Sequence, residues 1–250
     1  MELVSSSLNN HIVILGFNSR VEALIRDIRR LEGEATYGLR PVLVILPEEK
    51  LENSLPSIDG VYFLFGHDTD PAVFRRANIR DAHILIVPDL DPGETSDDSA
   101  KILPILTARS VHPELRVCWE VSSGEVSSAL LDAGSSAAMG TGVEIVSSPH
   151  LAHRMIAGTI RTPSFASVIH SLLNFSGLAC LQAVVLSPAW KSKSLDQCMR
   201  SSLAQGVIVL GYQRGGLIAL NPLDRSILLE SGDIVWCLAP RDKPLEQALV

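Results

Sequence analysis

His11-Ile-Val-Ile-Leu-Gly16-Phe-Asn-Ser19 is a short apolar run that closes on glycine, and apolar residues follow it at Val21, Leu24, Ile25, Ile28 and Leu31. The first part reads as a buried strand; the second has the three-to-four-residue spacing of an amphipathic helix, with Ser19 as the expected N-cap. Strand, tight turn and helix recur down the chain. Pro41-Val-Leu-Val-Ile-Leu46, Val61-Tyr-Phe-Leu-Phe65, His83-Ile-Leu-Ile-Val87 and Leu115-Arg-Val-Cys-Trp119 are further strands, separated by stretches long enough for helices. Strands apolar on both faces belong inside a parallel sheet covered by helices above and below, so the fold class is α/β with a Rossmann-like first domain.

In such a sheet the ligand crevice opens at the carboxyl ends of the strands. The loops that follow each strand carry the expected ligand-binding residues: Gly16, Asn18 and Ser19 at the first turn, Glu48 after the second strand and Asp68 after the third. A dinucleotide fingerprint needs glycines where Asn18 and Val21 stand, and an acidic residue where Leu46 ends the second strand. Those three residues argue against bound NAD and against the alternative of an NAD(P)-dependent oxidoreductase. A smaller anion or another nucleotide could still meet the start of the first helix.

Composition narrows the classes of function. The 250 residues are 46% hydrophobic and 20% charged, with a formal charge of −7. A nucleic-acid surface must gather Lys and Arg, so no nucleic-acid partner is expected. No run of about 18 apolar residues offers a membrane span. Cys118, Cys180, Cys198 and Cys237 stand far apart without a C-x-x-C pair and read as reduced core thiols. His150 and His153 are the only histidine pair at metal-binding spacing, with no third ligand placed by sequence. Nucleophile elbow, H-E-x-x-H and phosphate loop are all missing, so the expected role is binding and not catalysis.

Beyond Ser147-Ser-Pro149 the pattern changes. A helical stretch runs from His150 through Ile160, breaks at Thr162-Pro163-Ser164 and resumes from Phe165 to about Phe175. Short strands are then expected over 181–186, 207–212, 217–220 and 234–238, with turns at Arg214-Gly-Gly216 and Glu230-Ser-Gly-Asp233. The organisation is a Rossmann-like domain over 11–148, a helix-turn-helix over 149–177 and a small α+β subdomain over 178–250.

Two segments carry a family resemblance. Phe65-Gly-His-Asp-Thr-Asp-Pro71 with Phe74-Arg-Arg-Ala-Asn-Ile-Arg-Asp-Ala82 resembles the TrkA-N half of RCK domains, the regulators of potassium conductance. His67 is an extra residue relative to that pattern, which leaves the placing of Asp68 open. The run from Gly206 to Pro222, followed by Ile227-Leu-Leu-Glu-Ser-Gly-Asp-Ile-Val235, is similar to the TrkA-C half. The long turn from Gly33 to Arg40 and Ser96-Asp97-Asp98-Ser99-Ala100 further resemble bacterial relatives of the plant channels Castor and Pollux.

The resemblance implies a ligand-sensing gating module on the cytoplasmic side of the cell membrane, working as a homodimer or within an octameric gating ring. Its partner would be a potassium-channel pore, fused upstream or separate, and the membrane is reached only through that pore. A soluble regulatory subunit of a Trk or Ktr transporter is the alternative. The helix-turn-helix would cross over to a second subunit, an intramolecular hairpin being the other arrangement open to it. Calcium-gated RCK domains bind their ion with an acid after the fourth strand and a pair after the fifth. Asp89 and Glu120 match two of these places, Ser122 falls on the third, and the acids between Asp89 and Asp98 could equally form a solvated loop.

Overall fold

The computed structural model describes residues 8–32, 39–47, 55–90, 98–122, 142–173, 179–187 and 193–240. The chain forms two compact units that divide at Arg154. In the first, β1 (His11–Leu15), α1 (Ser19–Glu32), β2 (Val42–Leu46), β3 (Val61–Phe65), α2 (Pro71–Arg76), β4 (Ala82–Val87), α3 (Ile102–Val111), β5 (Val117–Val121) and β6 (Val143–Ser147) follow one another. The sheet is parallel throughout, in the order β3-β2-β1-β4-β5-β6. The five strands expected from the sequence are all present, and β6 is an addition.

Alternation along β1 and β2 explains why both sheet faces are apolar. Ile12, Ile14, Val42, Val44 and Leu46 pack with Val21 and Ile25 of α1 on one side. Val13, Leu15, Leu43 and Ile45 pack on the other with Leu85, Val117 and Trp119, beneath Phe74 of α2 and Ile105 and Ala108 of α3. Each such side chain contributes roughly 1.5–3 kcal/mol by leaving water, and together they hold the strand ends in fixed register.

Within the described strands of this unit, one fully buried residue is polar. His11, fully buried at the start of β1, has Nε2 2.9 Å from the Ala77 carbonyl oxygen. Its Nδ1 has no partner among the described residues. Burial lowers its pKa, against the opposing pull of the Ala77 carbonyl and of Asp81. The folded chain therefore holds His11 neutral, while the unfolded chain takes up a proton near pH 6.5. Stability from this residue should be intact above about pH 6.5 and fall as the pH drops below it. Urea melts from pH 8 to 5 should show a shallower decline for His11→Gln than for the parent, and equal slopes would refute the assignment.

The second unit comprises the C-terminal part of α4 (Ser148–Arg161), then α5 (Phe165–Leu173), β7 (Ala179–Val185), α6 (Leu195–Leu203), β8 (Ile208–Arg214), β9 (Leu217–Leu220) and β10 (Ile234–Pro240). Its antiparallel sheet has the order β7-β10-β8-β9. Gly215 and Gly216 both take positive φ, as a two-residue hairpin between β8 and β9 requires. The helix α6 was not expected; Ser194 and Gln197 start it with a reciprocal capping box. Leu195 and Cys198 then pack on Leu186, Val209, Leu229 and Val235. No described helix is long and apolar enough to cross a membrane.

Candidate functional site

The sheet order reverses between β1 and β4, and a crevice forms outside carboxyl ends at such a switch. The first turn faces it. Gly16 has φ of +79°, a conformation that favours glycine, and a Cβ there would press on the Leu90 side chain. Asn18, not Ser19, caps α1: its Oδ1 accepts from Val21 N at 3.0 Å and its Nδ2 donates to the Leu90 carbonyl at 2.5 Å. Ser19 is instead the first, exposed residue of the helix. The cap moves one residue because the longer Asn side chain reaches both the helix start and the loop after β4.

Three further side chains and the main chain of Asp89 meet where β4 and β5 end. Arg20 Nη1 donates to the Asp89 carbonyl at 2.6 Å, and its Nη2 to Glu120 Oε1 at 2.9 Å. Glu120 Oε2 accepts from Asp89 N at 2.9 Å, while Oε1 also accepts from Ser148 Oγ at 2.6 Å. Burial alone would raise the Glu120 pKa, but the bonds from Ser148, Asp89 N and Arg20 together hold it below the usual carboxylate value. The carboxylate is thus ionised and clamps α1 to two strand ends.

Beneath Glu120 lies a second layer. Asp89 and Asp98 are buried, with side chains 1% and 0% exposed, and Lys101 Nζ stands between them at 3.0 and 3.2 Å. The same ammonium lies 3.5 Å from the Glu120 carbonyl. Ser122 completes the layer by donating Oγ to Asp89 Oδ2 and its backbone N to Asp98 Oδ2 at 3.2 Å.

The sequence-predicted residues fall into three groups. Gly16, Asn18, Asp89 and Glu120 converge at the switch point. Asp68 sits in the turn after β3, the edge strand, separated from β1 by β2. Glu48 lies outside the described residues, as do Asp91 to Asp97 of the acidic loop. Sequence reasoning missed Arg20, Lys101 and Ser148, because no spacing rule links residues that meet only when three loops close.

A divalent ion would need six to eight oxygens at about 2.3–2.6 Å. The cage around Lys101 Nζ is wider and has the spacing of N–H to oxygen bonds, and Glu120 turns its carboxylate to Arg20 and Ser148. Among the described residues no group of three or more His, Cys, Asp or Glu is arranged to hold a metal, the pair His150 and His153 included. As arranged, the donors among the described residues fit an ammonium and do not fit calcium.

Residues 7–119 match the family model of the calcium-activated potassium channel slowpoke-like RCK domain. Over these residues the chain is similar to an RCK domain. The RCK match covers β1 through β5 up to Trp119, and so includes Asp89, Asp98 and Lys101. Over a longer stretch the chain is similar to the calcium-gated potassium channel TvoK of Thermoplasma volcanium, 25% identical across 249 residues, which are 97% of this chain and 66% of that relative. A Bacillus subtilis protein named as a potassium channel protein, YugO, is 27% identical over 148 residues, 59% of this chain and 42% of its own length. The chain therefore spans less than two thirds of either relative. Among solved structures the human SLO3 gating ring aligns with 95% of this chain and 45% of its own, with a TM-score of 0.67 at 14% identity. At that identity the likeness shows a shared fold.

Proposed function

We propose that this chain is a ligand-responsive gating module on the cytoplasmic side of a potassium channel, acting by binding and not by catalysis. The observation that carries the reading is the RCK match over residues 7–119, a stretch that includes Arg20, Asp89 and Lys101. The geometry supports it. Arg20 ties the start of α1 to the loop after β4 and to β5, so a ligand entering between them changes how these elements are held. Such a ligand shifts a two-state equilibrium only as far as it prefers one arrangement.

The resemblance also implied a second subunit, and the helices supply a surface for one. Neither α4 nor α5 has a buried residue. Ile156, Ile160, Val168 and Leu173 are exposed. Apolar faces of this kind are covered by a partner in soluble assemblies, and a second copy of the chain meets the need by crossing the two hairpins. A nucleotide, the other ligand the sequence left open, would have to displace Leu90 from Gly16.

The test replaces the matching region of TvoK with this chain and measures potassium flux in vesicles. Regulated flux is expected, together with its loss in an Ile156→Glu, Ile160→Glu double variant whose isolated chain scatters light as a monomer. Flux indifferent to the presence of the module would end the proposal.

A further inference from the structure

The strand-end acids, the best sequence candidates for an ion site, already hold a cation that belongs to the chain. We infer that Lys101 is the resident cation of this crevice, and that it makes this module insensitive to divalent ions at Asp89, Asp98 and Glu120. The inference rests on the crevice being the ligand site of a gating module. It concerns which ligand that site refuses.

Three observations carry it. An ammonium has three donors, and Lys101 Nζ meets three oxygens from three different places: Asp89 after β4, Asp98 in the turn Asp98–Lys101, and the main chain of Glu120 in β5. Both carboxylates are at most 1% exposed and Lys101 is 17% exposed, so the charge is shielded from water. Finally, the turn Asp98–Lys101 leads directly into α3, which is anchored in the core by Ile105 and Ala108. The lysine is therefore tethered at one end and delivered to the cage by the fold.

The physical consequence is competition. A tethered ammonium has an effective concentration that a free ion must outbid, and the ion would leave that ammonium without its anions. With Lys101 gone, the same cage presents two buried carboxylates, a carbonyl and the Ser122 hydroxyl, an all-oxygen set of the hard kind that calcium takes. One residue thus sets whether the crevice takes a free divalent ion.

Thermal melting of the 250-residue chain in calcium chloride and in EDTA tests this. The parent should melt at the same temperature in both. Lys101→Met should melt lower in EDTA and recover by about 5 °C or more in millimolar calcium, with saturable heat by calorimetry, while Lys101→Arg should behave as the parent. Should Lys101→Met fold in neither buffer, Lys101→Gln, which keeps both carboxylates and offers them a neutral amide donor, is measured instead and should also gain a calcium-dependent rise. A parent that is itself stabilised by calcium, or variants that gain nothing, would overturn the inference. Either result leaves the flux test of pore coupling standing, because this measurement reads only cation binding.

Discussion

Asp98→Ala is expected to cost about 3 kcal/mol of folding free energy, whereas Glu22→Ala, which breaks an equally direct ion pair, should cost less than about 0.5 kcal/mol. Distance does not separate the two. Arg26 and Glu22 meet at 2.6 Å on the surface of α1, closer than Lys101 and Asp98 at 3.2 Å. What separates them is water. Arg26 is 68% exposed, so solvent restores most of what its partner supplied, while the Asp98 side chain is fully buried. Its removal also strips Ser122 N of an acceptor and leaves Lys101 to Asp89 and the Glu120 carbonyl. Chemical denaturation of both variants measures the difference. An Asp98→Ala loss no greater than that of Glu22→Ala would show that the inner layer of the crevice is not a buried ion cluster.

On the proposed function, the same bonds define the state that a ligand would change. Glu120 faces Arg20 and Ser148, Asp89 faces Lys101 and Ser122, and the two layers are joined through the Asp89 backbone. On that reading, a ligand with equal affinity for both arrangements would shift nothing. The effective ligand must therefore compete with Arg20 or Lys101, or add to them.

Much of this was legible in the sequence, and the physical reason is periodicity. Strands such as Val42–Leu46 are apolar at every position because both of their faces are covered, and a continuous apolar run survives any choice of register. The strand β6 escaped because only its alternate residues Val143 and Ile145 face the core, and Glu144 interrupts the run. The helix α6 escaped because it lies among strands, although Ser194 with Gln197 is a start signal that could have found it. At the crevice, Asp89 and Glu120 were readable because an acid ending an apolar strand stands out. Lys101 was not. It is an ordinary basic residue at a helix start, where a positive charge opposes the helix dipole, and only the closure of three loops around it shows what it balances.

The C-terminal unit carries its own buried carboxylate, and there the same reasoning gives a second large effect. Asp233, 3% exposed, accepts from Arg214 Nε at 2.8 Å and Nη2 at 2.7 Å, and from Glu230 N at 2.7 Å. Arg214 Nη2 also reaches the Leu228 carbonyl at 2.8 Å. One side chain thus pins the turn before β10 to the end of β8, which explains why glycine and aspartate precede the last strand. Asp233→Ala should cost about 3 kcal/mol, since charge-assisted bonds contribute roughly 1.5–3 kcal/mol and the exposed Arg214 recovers part of its loss from water. The bond from Arg214 holds the Asp233 pKa below the usual value, outweighing burial, with Glu230 N adding to it. A depressed carboxylate stabilises the fold above the unfolded value of about 3.9, and that stability is lost as the pH falls through the lower folded value. Asp233→Asn keeps an acceptor for Glu230 N but cannot titrate, so its acid limb should be flatter than the parent's below about pH 4. Parallel acid limbs in parent and Asp233→Asn would place the acid sensitivity of this unit elsewhere.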